Sequence, residues 1–349
     1  RIAEGGGGGG RFMRGSQGAA GALDASIETT RENLPAVVEL VAEILRSPAF
    51  PTEEFDKLQQ ETLANHEQQV SEPTVLASNA LQRRLNPYPP TNIRYVPTPT
   101  EQIERIKAVK LADVVTLYRE LVGASYSEAA FVGDFQPQEV TALLEKSLAD
   151  WRSPKPFQRI ERHYQAGQPD TIVIATPDKA NAMVTLGLLL EIRDDDLDYP
   201  AFTMANQIFG AGMNSRIVDR IRQKEGLAYS CRSSASVGAL DRVGTFTVFS
   251  ICAPQNAERA IVCAREELDR FIKDGVPQQE LDDARRGYRQ QIEVGLANDG
   301  AVAGLLVRDL YLGRTLEFSA AQLARIETLT PPELQAALTK HVSPERLVV

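Results

Sequence analysis

The sequence is poor in the residues and patterns that mark several classes of protein. Cys231, Cys252 and Cys263 are its only cysteines, and they show no metal-ligand spacing. Cys231 and Cys252 could face each other across a hairpin, but free buried thiols are favoured, so the redox compartment stays open. The formal charge of −9 and the lack of a basic stripe argue against nucleic-acid binding. No apolar run is long enough to span a bilayer.

The remaining composition is that of an ordinary globular protein, with 43% hydrophobic and 24% charged residues. A length of 349 residues predicts two domains. The six glycines at 5–10 predict a flexible tether, and a chain that begins with Arg1 is expected to be a processed or truncated piece. The predicted organisation is a glycine-rich segment, a first domain, a linker around Ser153-Pro-Lys-Pro156 and a second domain, at 1–19, 20–152, 153–165 and 166–349.

Apolar periodicity and turn residues predict a chain of alternating helical and extended stretches. Helices are predicted at 31–46, 52–71, 73–85, 99–107, 110–121, 136–149, 199–209, 255–273, 277–296, 299–312, 319–327 and 331–340. Strands are predicted at 23–27, 129–133, 171–175, 183–190, 228–236, 244–253 and 347–349, the last as the start of a closing strand that is cut short.

Two stretches of the first half recur in the second half, in the same order. Phe50-Pro-Thr-Glu-Glu-Phe-Asp56 is similar to Val276-Pro-Gln-Gln-Glu-Leu-Asp282. A longer match relates residues 102–113 to residues 322–333. Agreement of apolar spacing, proline and acidic positions predicts a duplicated α+β unit. The alternative is that any two long amphipathic helical runs look alike.

The segment Gly210-Ala-Gly-Met-Asn-Ser-Arg216 predicts a loop that opens a short helix. Asn214 and Ser215 are residue types that cap helices by accepting hydrogen bonds from free backbone N–H groups. Ile217, Val218 and Ile221 give that helix an apolar face.

The next segment, Arg222-Gln-Lys-Glu-Gly-Leu-Ala-Tyr229, predicts a helix that ends at Gly226 and a strand that follows it. Arg222 is then in the last helical turn and Tyr229 near the start of the strand. A guanidinium and a phenol placed in this way could both donate to one carbonyl or oxyanion. The alternative interpretation is structural: arginine is favoured at a helix C-terminus, and tyrosine packs well in a sheet.

Together with the duplication, these motifs make the chain resemble the pitrilysin/insulinase family of zinc metallopeptidases. The likeness covers most of residues 20–349 and is stronger in the second half. In the first half it is carried by Thr29-Thr-Arg-Glu-Asn-Leu34, Ser47-Pro-Ala-Phe50 and Val132-Gly-Asp134. In the second half it is carried by Asp178-Lys-Ala-Asn181, Asp198-Tyr-Pro-Ala201 and the two segments described above.

The resemblance implies an α+β fold of two tandem duplicated α/β-roll domains, each a mixed, mostly antiparallel sheet with helices packed on one face. It implies that two such halves enclose an unfolded peptide. One half carries zinc, and the opposite half supplies an arginine and a tyrosine. By direct motif match those two are Arg222 and Tyr229, as catalytic residues, with Asn214 and Ser215 as candidates for substrate binding.

The chain departs from the family pattern because it contains no His-x-x-Glu-His. Its histidines, His66, His163 and His341, are far apart in sequence, whereas catalytic zinc needs three protein ligands. The resemblance therefore implies no cofactor in this chain and zinc on a partner half, either of the same protein or of a homologous subunit. The alternative is a non-catalytic structural or peptide-binding subunit. The family favours the bacterial periplasm or cytoplasm over secretion.

Overall fold

A computed structural model describes residues 22–212 and 214–349. The glycine run at 5–10 and the proposed N-terminal segment 1–19 lie outside the described residues. Within those residues, no helix combines the length and the apolar character that crossing a membrane would require.

Helices make up most of the described chain, and their bounds follow the sequence periodicity closely. Short π-helical segments occupy Gln207–Ala211 and Asp219–Lys224. The α-helices are α1 Leu34–Arg46, α2 Thr52–Gln69, α3 Pro73–Leu85, α4 Pro99–Ala108, α5 Leu111–Leu121, α6 Pro137–Leu148, α7 Tyr199–Asn206, α8 Arg216–Val218, α9 Ala257–Asp274, α10 Gln278–Leu296, α11 Asp299–Tyr311, α12 Leu316–Thr328 and α13 Pro331–His341.

The described strands form one antiparallel sheet in the second half of the chain. They are β1 Ala182–Leu190, β2 Ala228–Val237 and β3 Gly244–Cys252, arranged in the order β1-β3-β2. Alternate residues of β3 are buried, as expected where one face of a sheet meets a core. The α+β class and the antiparallel sheet predicted from the sequence are confirmed.

The main core lies on one face of this sheet. Alternate residues of β1, such as Leu186 and Leu188, pack there with Phe202 of α7 and Phe271 of α9, and all four are at most 2% exposed. The opposite face of β1 is covered by α3, where a side chain at Gly187 would lie only 2.9 Å from a methyl carbon of Leu81. The glycine therefore lets α3 approach the sheet closely.

The described chain divides into two compact units. One contains residues 22–58, 109–159 and 292–316, and the other, which carries the sheet, contains 59–108, 160–291 and 317–349. These units do not coincide with the two sequence repeats, so the domain boundaries at 152 and 166 stay predictions.

Within the unit that lacks the sheet, side chains tie helices far apart in sequence. Arg46 of α1 pairs with Asp150, which follows α6, at 2.6 Å. The Tyr118 hydroxyl of α5 donates to the Leu45 carbonyl at 2.5 Å.

Three of the predicted strands, 23–27, 129–133 and 171–175, are wrong as regular strands, whereas the predicted start of a strand at 347–349 pairs with Gly187 of β1 through Val348. Residues 23–27 contain one bridge at Ala25, and residues 129–133 are irregular. Residues 171–175 and 347–349 meet only around isolated bridges at Asp170 and Val348. The physical reason is the same in each case, because an extended segment becomes a strand only where a neighbour of sufficient length completes the hydrogen-bond ladder.

Candidate active site

The helix that carries the arginine motif is wound more loosely than an α-helix. In Asp219–Lys224 the backbone follows π-type bonding, and the Glu225 N–H donates to the Arg220 carbonyl at 3.2 Å. Ile217 and Ile221 are fully buried and anchor this turn to the core, as their spacing predicts. Single π turns inserted in helices are frequent at functional sites because they change which side chains face outward.

The π-helical segment Gln207–Ala211 before this helix is held against the sheet by Gly210, although the sequence predicts a loop from that residue on. A Cβ at Gly210 would lie 2.4 Å from the backbone nitrogen of Ser233, which is closer than real side chains approach. The Ser233 hydroxyl in turn donates to the Asn206 side-chain oxygen at 2.7 Å. This hydrogen bond joins the end of α7 to β2 and fixes the position of the motif.

Gly226 ends the helix in the way that the sequence predicts. Its φ of +62° lies in the left-handed region that favours glycine. The Leu227 N–H donates to the Ile221 carbonyl at 2.9 Å and closes the turn. The chain then enters β2 at once, so Arg222 and Tyr229 stand on the two sides of one tight turn.

A β-bulge at the start of β2 determines where Tyr229 points. Ala228 is opposite Cys252, and Ser230 is opposite Ile251, so Tyr229 is the extra residue of the strand. In regular alternation Tyr229 would share the core face with Cys231. The bulge instead puts Ala228 against the core and leaves Tyr229 69% exposed. No sequence signal predicts this bulge.

Arg222 differs from the neighbouring cations of the same helix. Arg216 pairs with Glu280 at 2.8 Å, and Arg220 pairs with Glu225 at 2.8 Å. Within the described part of the chain, Arg222 is exposed and makes no hydrogen bond or ion pair. An exposed arginine that is left unpaired among paired ones is available to an external acceptor.

The Arg222 guanidinium is close enough to affect the pKa of a thiol near the start of β2. Burial raises the pKa of the Cys231 thiol to about 11, and the nearby Arg222 guanidinium partly opposes that rise. The Cys231 thiol donates to the Ile217 carbonyl at 3.5 Å. Cys231, Cys252 and Cys263 are free and buried, as predicted, with neutral thiols.

Asn214 and Ser215 do not cap the helix through their side chains, which corrects the expectation from sequence. Ser215 occupies the capping position of α8, but its hydroxyl is buried without a hydrogen-bond partner. The Ser215 backbone carbonyl accepts from the Asp219 N–H at 3.0 Å, and its side chain turns into the core, away from the free N–H groups of the first turn. Asn214 is exposed.

One further arginine of this sheet is not singled out by any sequence motif. Arg232 lies on the face of β2 opposite to Cys231, and its guanidinium carbon is 4.6 Å from the centre of the Phe249 ring. Period-two alternation places it on the outer face, but only the strand register pairs it with Phe249.

The described residues do not fit a zinc ion. Across 22–212 and 214–349, no group of three or more His, Cys, Asp or Glu side chains is arranged to hold a metal. His66 lies in the last turn of α2, and the His163 side chain is 79% exposed. His341 ends α13 and is engaged by Asp198, whose carboxylate oxygen is 3.0 Å from the imidazole Nε2.

The fold and this junction define an α+β domain of the metallopeptidase-like class that lacks a metal site in its described part. The chain belongs to the family described as the peptidase M16 inactive domain, which matches residues 108–288, just over half of the sequence. The family resemblance read from the sequence is thereby confirmed.

Relatives of this chain differ in what their names say about activity. It is 22% identical over 319 residues to the "Non-peptidase homolog YmxG" of Helicobacter pylori, covering 91% of this chain and 72% of that protein. It is 27% identical over 245 residues to the "Uncharacterized zinc protease SCO5738" of Streptomyces coelicolor, covering 67% of this chain but only 51% of that protein.

Among solved structures, the fold is similar to the crystal structure of a peptidase M16 inactive domain from Pseudomonas fluorescens. The TM-score is 0.78 and the sequence identity is 24%, over 91% of this chain and 74% of that chain. This likeness concerns the fold alone.

Proposed function

We propose that this chain is the zinc-free half of a pitrilysin-type metalloendopeptidase that hydrolyses unfolded peptides. The observation that carries the proposal is the pair of exposed donors at one helix–strand turn. Arg222 is unpaired beside paired arginines, and Tyr229 is turned outward by a bulge. Neither arrangement adds to the packing of the fold, so both are better explained by a ligand.

In this proposal the two side chains act on the peptide bond that is cleaved. The Tyr229 hydroxyl donates a hydrogen bond to the scissile carbonyl oxygen and to the oxyanion that develops on it. The Arg222 guanidinium holds a neighbouring backbone carbonyl of the substrate or reinforces the same charge. Asn214, which is exposed, would bind substrate backbone, whereas Ser215 would first have to turn its hydroxyl outward.

The zinc ion would come from a partner half, since the described residues here do not fit one. That half is either joined to this chain or a homologous subunit. Bound zinc supplies an activated water in peptidases of this type. The residues of this chain contribute hydrogen bonds and charge to the peptide.

Substitution of Arg222 tests its assigned role in binding the peptide and the oxyanion. After reconstitution with a zinc-bearing half, Arg222→Ala should lower kcat/KM for an unstructured peptide by about 10²–10³, the usual loss for one oxyanion donor. Arg232→Ala is the matched control, because it removes an exposed arginine of β2 whose guanidinium already packs over the Phe249 ring. Equal activity in the two variants would overturn the assignment of Arg222.

A second candidate function is a non-catalytic structural or peptide-binding subunit. It is favoured by the name of the Helicobacter pylori relative, which covers most of this chain, and by the lack of a metal cluster among the described residues. Peptide binding that persists without turnover in the presence of a zinc-bearing half would support this alternative.

A further inference from the structure

The turn that carries Arg222 has no residue that loosens a helix by itself. Residues Asp219–Lys224 contain neither glycine nor proline, two common causes of an irregular helix. The other π-helical segment, Gln207–Ala211, contains Gly210, which lies against Ser233 of β2. In Asp219–Lys224, contacts between side chains must therefore hold the π winding.

Two ion pairs join residues that are five apart across this turn. The Lys224 ammonium is 2.7 Å from the Asp219 carboxylate, and the Arg220 guanidinium is 2.8 Å from the Glu225 carboxylate. The backbone has the same spacing, since the Glu225 N–H donates to the Arg220 carbonyl at 3.2 Å. This spacing matches π winding, in which each hydrogen bond joins residues i and i+5. In an α-helix, residues five apart stand about 140° apart around the axis and do not meet.

Arg222 has no charged residue at a spacing of five. The residues five before and five after it are Ile217 and Leu227, so π winding brings no acid of this segment to its guanidinium. The residues three before and three after it are Asp219 and Glu225. Side chains three apart pair on an α-helix, so α winding would place Arg222 beside two carboxylates. The winding of the turn thus decides whether Arg222 is free or paired with an acid.

We propose that the two ion pairs hold the turn in π winding and thereby keep Arg222 free to bind the peptide carbonyl or the oxyanion. This inference rests on the proposed function and adds to it. Asp219 and Glu225 are then positioning residues, because each carboxylate is held by a cation other than Arg222. Neither of them needs to contact the substrate.

The two carboxylates differ in how firmly they are held. Glu225 accepts from Arg220 of the turn and also from Arg259 of α9, whose guanidinium is 2.9 Å away. Asp219 is held by Lys224, and these two side chains are 49% and 66% exposed. Removing Lys224 therefore releases Asp219, which α winding would bring to Arg222.

The test substitutes Lys224 in the full chain, which is then combined with a zinc-bearing half. Lys224→Gln should lower kcat/KM for an unstructured peptide by about three- to fivefold, the scale of one exposed ion pair. Adding Asp219→Asn to the same chain should restore kcat/KM to within about twofold of the original, because it removes the carboxylate that captures Arg222. A purely structural loss at Lys224 would not be reversed by the second substitution.

Lys273→Gln is the matched control and should leave kcat/KM unchanged. It removes an exposed lysine from the last turn of α9 that makes no ion pair in the part of the chain that the structure describes. Equal losses in Lys224→Gln and Lys273→Gln would overturn the proposal. A chain with both Lys224→Gln and Asp219→Asn that is no more active than Lys224→Gln alone would overturn it as well.

NMR gives a readout of the winding that does not depend on activity. Scalar couplings across hydrogen bonds identify the carbonyl that accepts from the Glu225 N–H. The unchanged chain should show the coupling to Arg220, and in Lys224→Gln it should be largely replaced by a coupling to Ile221, the α-helical acceptor. An unaltered Arg220 coupling in Lys224→Gln would overturn the proposal. If this coupling is replaced but Arg222→Ala keeps full activity, the ion pairs hold the turn as proposed and the catalytic role of Arg222 is what fails.

Discussion

At the scale of single residues, the need for a small side chain near β2 constrains this site more than the need for a particular chemical group. Gly210 illustrates this, because a Cβ there would meet both the backbone nitrogen of Ser233 in β2 and the Ser233 side chain, whose hydroxyl is held by its hydrogen bond to Asn206. The sequence marks Gly210 only as part of a loop motif. Its distance to Ser233 depends on how the π-helical turn packs on the sheet, which no local pattern contains.

Replacing Gly210 with alanine should lower the free energy of unfolding by about 1–3 kcal/mol, the usual cost of overpacking a tight contact. Gly287→Ala, inside α10 with no described atom within 4 Å of the new Cβ apart from its chain neighbours and the backbone of its own helix, should instead raise it by about 0.5–1 kcal/mol. Urea unfolding of the two variants measures both changes. A neutral or stabilising Gly210→Ala would contradict the close contact with Ser233.

At the scale of elements, the helices were predictable and two details of the site were not. Periodicity and prolines place α2 and α10 directly after Pro51 and Pro277, as the repeat predicts. The π-helical turn at Arg222 and the bulge at Tyr229 arise from packing and strand register. The spacing of apolar residues does not depend on the π-helical turn or on the bulge. The sequence therefore identifies Arg222 and Tyr229 but does not show that their side chains are exposed.

The start of α13 is fixed by a local motif. Thr330 and Glu333 form a capping box, in which the Glu333 carboxylate accepts from the Thr330 N–H at 2.8 Å. A salt bridge from Arg325 and the hydrogen bonds from Thr330 lower the pKa of Glu333 to about 2. Because the ordinary value is 4.5, the ionised carboxylate stabilises the folded state above that pH.

That stabilising contribution should be lost as the pH falls from 4.5 through about 2. Glu333→Gln should unfold at lower urea concentration at pH 6, with a difference from the unchanged chain that shrinks toward pH 2.5. Glu293→Gln on α10 serves as the control, because that side chain is exposed and makes no hydrogen bond or ion pair among the described residues. The effect should be modest and salt-sensitive, since both partners are partly exposed. A pH-independent difference would contradict the assigned cause.

At the scale of the whole molecule, the two repeats share a helical pattern, but equivalent residues in them differ in how far they are exposed to solvent. Leu121 of α5 is 51% exposed, whereas the matching His341 of α13 is 7% exposed. In the second repeat α13 is covered by α7, and Asp198 holds its last turn through Lys340 and His341. Among the described residues of the first repeat, no helix corresponds to α7. Sequence similarity predicted the helices but not what covers them.

The proposed function rests on one claim: a partner half holds the zinc ion, and this half donates hydrogen bonds to the peptide. Family membership gives the fold and its inactive-domain class, while the names of the relatives include both a non-peptidase and a zinc protease. In a regular strand Tyr229 would face the core, whereas the bulge in β2 leaves its side chain exposed. This exposure favours a retained function over a purely structural role.

The most direct measurement is single-turnover peptide cleavage by the Tyr229→Phe chain together with a zinc-bearing half. Peptide affinity should stay unchanged while the rate of bond cleavage falls by about 10²–10³, because only the donor to the oxyanion is removed. Tyr311→Phe in α11 is the control and should cleave at the original rate. Cleavage by Tyr229→Phe at that same rate would contradict a catalytic contribution of this half.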